Sequence, residues 1–445
     1  MADGRLTDHR GRELTLRGVN ARVRGVFDVT FADGRLPLED IPVFDAGDAE
    51  RMRGFGFNLL RLPINWSAVE PQRGQFATAY LDAIAAVVDL CASHGILVLL
   101  DFHQDGFSKE IGQDGAPRWV LDLLLGPNGY PFVGGPLTDL NARRFAPHTL
   151  SAFRKFFDDE QGVQALFADA ATTVARRFKR SRAVVGYEIM NEPLLLGADA
   201  ERKLRDFHVR IAKAIRKVDR RHLVVFEPNA ARNVTNQAPI PSARFPDRRG
   251  VYAPHIYTYV FDGKTFTGDA SALVSSMEAA ATEATAWGAP LLIGEYGIDP
   301  THPLANQWIA TSLDLQDRLR AHSTFWLWEE ISSGRWGLFD GESGEPGGER
   351  VDRTTALSRT FARAVPGRVL EHAFDATTNT LRLRFRARGS APREIVAAPR
   401  RYPRGITIRC DGASVGATPD SVAGVVTFRC GRGRGEHVVD LEPAP

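Results

Sequence analysis

Eight short apolar runs separated by helical stretches restrict the fold of this chain more than any other feature. The runs lie at 14–20, 58–62, 97–102, 184–190, 223–227, 250–253, 291–293 and 324–327. Between them, residues 46–54, 79–94, 163–178, 200–218, 270–288 and 305–320 repeat apolar positions with the period of a helix. The runs are apolar on both faces, which suits strands covered on both sides and excludes a one-sided antiparallel sheet. Such alternation predicts an α/β fold, a (β/α)8 TIM barrel. A doubly wound open sheet would carry a glycine-rich phosphate loop after its first strand. Nothing of that kind follows Gly18-Val19-Asn20.

The chain changes texture near Pro366-Gly367. Residues 366–445 hold 13 Arg, no Lys and 8 acidic residues, leaving 43 basic and 46 acidic residues in 1–365. Thr380-Leu381-Arg382-Leu383-Arg384-Phe385-Arg386 alternates apolar and charged positions, the period of a half-exposed strand. Short strands also fit 395–397, 405–410, 424–430 and 437–441. Residues 366–445 therefore read as a small antiparallel β-sandwich, and residues 1–365 as a barrel domain. Cys410 and Cys430 both fall in these strands, as a bonded pair or as two buried thiols. Cys91 reads as core. The alternating arginines read as the wet side of a strand rather than a surface for acidic headgroups. Over the whole chain 56 basic and 54 acidic residues nearly cancel, so nothing suggests a nucleic-acid partner. No run reaches the roughly 18 apolar residues of a transmembrane helix, and no secretory leader is visible.

Barrel chemistry stands at the C-terminal ends of strands. There the sequence supplies Asn20, Arg61, Asp101-Phe102-His103-Gln104-Asp105, Asn191-Glu192-Pro193, Glu227, His255-Ile256-Tyr257, Glu295 and Trp326. Any one of them could simply satisfy a loop backbone. Polar groups delivered to one rim by almost every strand point to a site, because buried polar groups are costly unless paired or used. Glu192 and Glu295, on the fourth and seventh strands, face each other across the barrel mouth. Two carboxyls across a sugar-sized gap suit glycoside hydrolysis: one protonates the leaving oxygen, and the other attacks the anomeric carbon or activates water. Asn191 is a candidate donor to the sugar 2-hydroxyl, and Tyr257 a candidate donor to the nucleophile. Trp326 suits stacking on a sugar face, or belongs to the core. Glu227 reads as a rim or subsite residue. Glu329 and Glu330 either face substrate or hold the last loop. His103 and His255 lack metal-ligand spacing, so hydrogen bonding is the expectation, with no metal and no cofactor.

At these positions the chain resembles glycoside hydrolase family 5. Arg61 in Leu-Arg-Leu-Pro, His103 in Asp-Phe-His, Asn191-Glu192-Pro193, His255-Ile256-Tyr257, Glu295 in Ile-Gly-Glu-Tyr-Gly and Trp326 match that family in order. The resemblance implies Glu192 as acid/base and Glu295 as nucleophile, with net retention. Within the family, Asp101-Phe102-His103-Gln104-Asp105-Gly106-Phe107-Ser108 and Gly115-Ala116-Pro117-Arg118-Trp119 are similar to the endoglycoceramidase branch, as is the appended β-domain. That branch cleaves between an intact oligosaccharide and ceramide. It implies substrate contacts from Asp105, which would bond the sugar next to ceramide, and from Trp119 and Asn20. A lysine often follows that asparagine in the branch. Here Asn20-Ala21-Arg22-Val23-Arg24 puts arginine, taken as Arg24, in its place, which leaves the glycan preference open.

Between the third and fourth strands lies an insertion far longer than the usual βα loop. Its apolar stretch, from Trp119 to Leu125 and from Tyr130 to Val133, suggests a surface for an acyl tail, or a lid packed on the barrel. The strand-eight loop, residues 331–346, is a second candidate wall. The expectation is a monomeric, secreted glycosidase that meets a glycosphingolipid at a membrane or micelle surface, a cytosolic setting being the alternative. The rival functions are a β-glucanase or other oligosaccharide hydrolase of the same fold, and a non-catalytic glycan- or lipid-binding protein. The second rival is disfavoured by the presence of both glutamates.

Overall fold

In the computed structural model the eight runs become eight parallel strands: β1 (Arg17–Asn20), β2 (Leu59–Ile64), β3 (Leu97–Phe102), β4 (Val184–Glu188), β5 (Leu223–Phe226), β6 (Gly250–Tyr252), β7 (Leu292–Ile293) and β8 (His322–Phe325). Residues 4–331, 336–339, 348–419, 424–431 and 434–445 are described. Neighbours pair in order from β1 to β6, β8 lies against β1, and β7 lies against β8. Parallel bridges Tyr252–Leu291 and Ile256–Tyr296 close the ring between β6 and β7. The strands are almost wholly buried, as their two-sided apolar character requires. Close packing decides one residue of β1: a Cβ on Gly18 would stand 1.6 Å from the Leu59 carbonyl oxygen.

The helices fall where the periodicity puts them. Ala46–Gly54, Thr78–Ser93, Val163–Phe178, Ala200–Val218, Ser271–Trp287 and Ala305–Leu319 surround the barrel. In Ala200–Val218, Leu204, Phe207, Ile211 and Ile215 form the buried face at three- and four-residue spacing. Ala46–Gly54 starts at Asp45, whose carboxylate caps the main chain of Gly47 and Asp48 while Asp48 reaches back to the Asp45 N–H.

Three sequence expectations change. The first run is two strands: Leu14 belongs to a short strand, Arg12–Leu14, that pairs antiparallel with the long strand Phe361–Asp375. That long strand also moves the domain boundary, because Pro366-Gly367 lies inside it and the sandwich begins at Phe361. Its first part pairs with Arg393–Val396 and the rest with Thr380–Ala387, so one bent strand serves two antiparallel sheets. Leu383, Phe385, Val439 and Leu441 from one sheet meet Ile395, Val426 and Phe428 from the other in a shared core. The third change concerns the insertion. Its helix Arg118–Leu125 buries Val120, Leu121 and Leu124 in the barrel core, so the helix is packed lid rather than acyl surface, while Phe132 after it stays exposed. In the strand-eight loop, Leu338 and Phe339 are buried, while residues 332–335 and 340–346 lie outside the described residues.

The sandwich arginines are the solvated side of their strand. Arg382 pairs with Asp440, Arg384 with Glu371, and Arg386 with Glu436, while Leu381, Leu383 and Phe385 between them point inward. Cys410 and Cys430 form a disulfide that ties the sandwich across 20 residues.

The junction between the two units turns on Asp317, buried on the last barrel helix. It accepts from Arg17 Nη2 of β1 at 2.6 Å and from Arg359 Nε, just ahead of the sandwich, at 2.5 Å. Burial would raise its carboxyl, but the two guanidiniums hold it below the usual aspartate value. That stabilisation is present above the ordinary aspartate range and is lost as the pH falls through it. Asp317→Ala strips buried Arg17 of its carboxylate and leaves Arg359 with Asp314 alone. Denaturant unfolding will show a loss of about 3–5 kcal/mol at neutral pH, and the difference from wild type will shrink in acid.

Candidate active site

The site is built upward from Arg61, a guanidinium on β2 with no solvent exposure. Its Nε donates to Glu188 Oε2 at 2.7 Å. Nη1 donates to Asn20 Oδ1 at 2.9 Å and to Glu295 Oε1 at 2.8 Å. Nη2 donates to Asn191 Oδ1 at 2.8 Å and Glu227 Oε1 at 3.2 Å, and lies 3.1 Å from Asp101 Oδ2. One planar, permanently charged group thus holds side chains from β1, β2's neighbours and the ends of β4, β5 and β7. Asn20 is tied down further, donating to the carbonyls of Gly294, Thr324 and Phe325.

Above this floor stand the two glutamates. Glu295 is gripped from both sides, by Arg61 on Oε1 and by the Tyr257 hydroxyl donating to Oε2 at 2.8 Å. Glu192 has its main chain in the left-handed region, at φ 40°. Its Oε1 accepts from Asn233 Nδ2 at 2.6 Å and His255 Nδ1 at 2.8 Å. Burial would raise the Glu192 carboxyl, but the hydrogen bond and charge of His255 hold it down at about 2. Burial works against charge on His255, yet the carboxylates of Glu227 and Glu295 hold its imidazole well above the usual value. At neutral pH the Glu192–His255 pair therefore shares one proton, which rests on the imidazole beside an ionised Glu192. Burial pushes Asp101 up to about 6, with Arg61 pulling the other way. It also pushes His103 down to about 3, a neutral imidazole that bonds Asp101 through Nδ1 at 2.6 Å.

Glu192, His255 and Glu295 each present an atom within 4.8 Å of the others. The two carboxyls are therefore as close as a retaining glycosidase needs and too close for the roughly 6.5–9.5 Å of an inverting one. The same carboxylates stand close enough to ligate a cation, and Arg61 already supplies that charge at their centre.

The pair opens into a pocket of about 330 Å³. His103, Asp105, Asn191, Tyr257 and Trp326 line it together with Glu192 and Glu295, and Trp326 stacks on His103 at 5.6 Å. Asn20, Arg61 and His255 lie beneath its floor, holding those residues instead of lining the wall. Two expected substrate residues lie elsewhere. Arg24 points to solvent and donates to the Ile41 carbonyl; Arg22 is the arginine that reaches the pocket, fixed between Glu39 and Glu330. Trp119 packs edge-on against Trp66, and its indole N–H bonds the Glu70 carbonyl. Asp105 is in the wall but already carries a partner: Arg144, from the insertion, grips both its oxygens.

Arg144, Asn233 and Phe261 carry no mark in the sequence as site residues, whereas Trp336 belongs to the strand-eight loop expected as a second wall and does line the pocket. Phe261 and Trp336 stack on each other at 6.0 Å beside Tyr257, an apolar wall assembled from the β6 and β8 loops. None of them stands at a strand end. Their only signal is that each lies on a connection leaving the C-terminal rim.

Residues 45–332 match the family model described as Cellulase (glycosyl hydrolase family 5). The chain belongs to glycosyl hydrolase family 5. Residues 359–439 match the glycoside hydrolase family 5 C-terminal domain, in accord with a sandwich that starts at Phe361. Among curated relatives, Endoglycoceramidase I of Rhodococcus hoagii (strain 103S) is 28% identical over 453 aligned residues, covering 94% of this chain and 83% of that protein. An Endoglycoceramidase of Hydra vulgaris is 25% identical over 78% of this chain and 70% of its own length. Among solved structures, Endo-glycoceramidase II from Rhodococcus sp. superposes with TM-score 0.83 in its ganglioside GM3 complex and 0.81 as a lactosyl-enzyme intermediate. Identity is 26% in both, over 99% of this chain and 99–100% of that one.

This family 5 chain is an O-glycosyl hydrolase. Replacing Glu295 by glutamine keeps an acceptor for Arg61 but removes the carboxylate charge and the second acceptor for Tyr257. Steady-state rates on an aryl β-lactoside will fall roughly 10⁴-fold or more, with the melting temperature within a few degrees of wild type.

Proposed function

We propose that the protein is a retaining endo-β-glycosidase that cleaves glycosphingolipids between the intact oligosaccharide and ceramide. The observation that carries this reading is a carboxyl pair within 4.8 Å in a pocket with two kinds of wall. Hydrogen-bonding groups (His103, Asp105, Asn191) stand on one side, and the stacked Phe261–Trp336 pair on the other. A sugar occupies the first side, and an apolar leaving group suits the second. Likeness to endoglycoceramidases along nearly the whole chain supports the same reading.

The chemistry follows from the geometry. Glu295 attacks the anomeric carbon while Glu192 passes the proton it shares with His255 to the departing oxygen of ceramide. The bond to that oxygen breaks as the bond to Glu295 forms. Water, deprotonated by Glu192, then cleaves the glycosyl ester and restores both carboxyls. Asn191, fixed by Arg61, is placed to bond the 2-hydroxyl, and Trp326 to stack beneath the ring.

The enzyme meets its substrate at a lipid surface, through the rim around the pocket. Among the described residues, the exposed large apolar side chains lie on connections that leave the C-terminal ends of barrel strands. They include Phe132, Phe145, Leu196, Val234, Ile240 and Phe261. Apolar groups gathered on the catalytic face favour contact with acyl chains over contact with a polysaccharide. The Cys410–Cys430 disulfide supports an oxidising, extracytoplasmic setting.

Product analysis on a glycosphingolipid panel tests the reaction. Whole oligosaccharide plus ceramide is expected; stepwise release of monosaccharides, or cleavage of β-glucan in preference to glycolipid, would replace this reading. The double variant Phe132→Asp, Phe145→Asp tests the surface. It will lower hydrolysis of vesicle-embedded lactosylceramide about tenfold and leave a soluble aryl lactoside nearly unaffected.

A further inference from the structure

Glu227, at the end of β5, makes three buried contacts beside the acid/base residue. Its Oε2 accepts the main-chain N–H of Glu192 at 3.1 Å. Its Oε1 lies 3.4 Å from His255 Nε2 and accepts from Arg61 Nη2 at 3.2 Å. The side chain is buried, so each contact acts without competing water. Two of the contacts bear on Glu192. The main-chain bond pins a non-glycine residue in the left-handed region, a conformation that persists only where its surroundings over-determine it. The imidazole contact fixes the ring whose other nitrogen, Nδ1, donates to Glu192 Oε1.

These contacts decide which oxygen of Glu192 works. Oε1 is occupied by two donors, Asn233 Nδ2 and His255 Nδ1. Oε2 is the oxygen left to carry a proton to the glycosidic oxygen. Were the His255 ring free to turn, that distinction would be lost. We propose that Glu227 is a positioning residue for the general acid: it aims Oε2 of Glu192 by anchoring the Glu192 main chain and the His255 ring. Arg61 and Glu188 complete the charged surroundings of Glu227, Arg61 through its hydrogen bond and Glu188 through charge. The inference rests on Glu192 being the acid/base residue.

The readout is the dependence of kcat/KM on the leaving group. An alkyl β-lactoside needs protonation of its departing oxygen, whereas a 2,4-dinitrophenyl β-lactoside needs almost none. The ratio of kcat/KM for the dinitrophenyl over the alkyl substrate therefore measures acid assistance alone. Glu227→Gln keeps the shape but removes the charge that holds the ring. Glu227→Asp keeps the charge but withdraws it from His255, so either variant that folds serves. In each the ratio is expected to rise about 100-fold, within the range of general acid catalysis. Equal losses on both substrates, leaving the ratio at its wild-type value, would overturn the proposal, since that is what a purely structural role produces. Glu192→Gln is run alongside. A raised ratio there with an unchanged ratio in the Glu227 variants removes Glu227 from the mechanism alone. An unchanged ratio in Glu192→Gln removes Glu192 as the acid, and the inference with it.

Discussion

One buried cation organises this barrel. Arg61 has no exposure to water and meets four carboxylates and two side-chain amides from the surrounding strands. Without it, Asp101, Glu188, Glu227 and Glu295 would crowd one another in a space too dry to screen them. With it, the same charges form a floor with fixed geometry. Glu295 stands on that floor directly. Glu192 stands on it through Asn191, Glu227 and His255. Catalytic geometry in this chain is thus an outcome of charge compensation inside the barrel, and the pocket above inherits its rigidity.

A second arginine-centred device closes the other end. Asp317, held between Arg17 and Arg359, joins β1, the last barrel helix and the lead into the sandwich. The strand Arg12–Leu14 adds a main-chain ladder to the first strand of that sandwich. The C-terminal unit is therefore fastened to the barrel's closed side, away from the catalytic rim. Its basic charge is largely spent on partners within its own sheet.

Much of this was legible in the sequence. The strand and helix positions came from periodicity, because covered strands must be apolar on both faces and helices must keep one apolar stripe. Asn191, Glu192, Tyr257, Glu295 and Trp326 were legible because strand ends point at one rim. Distances of sequence hid the rest. Arg22 meets Glu330 from 308 positions away, and Arg144 reaches Asp105 from a helix that no barrel rule predicts. Trp119 and Arg24 misled for the same reason: a motif marks a residue's neighbourhood but not the side to which it turns. The change of composition near Pro366 marks no break in the chain's structure, because a bent strand, Phe361–Asp375, runs through it.

By itself the sequence determined the class of barrel, the order of its strands and the presence of Glu192 and Glu295 at facing strand ends. These follow from local patterns, and each strand carries its own. Only the tertiary structure decided that Asn20, Arg61 and His255 support the pocket from below, that Arg22 and not Arg24 faces it, and that Phe261 meets Trp336 to form its apolar wall. Such facts depend on where side chains from distant segments come to rest around a shared charge. No window of sequence contains that information, because the charge is balanced only once the barrel has closed.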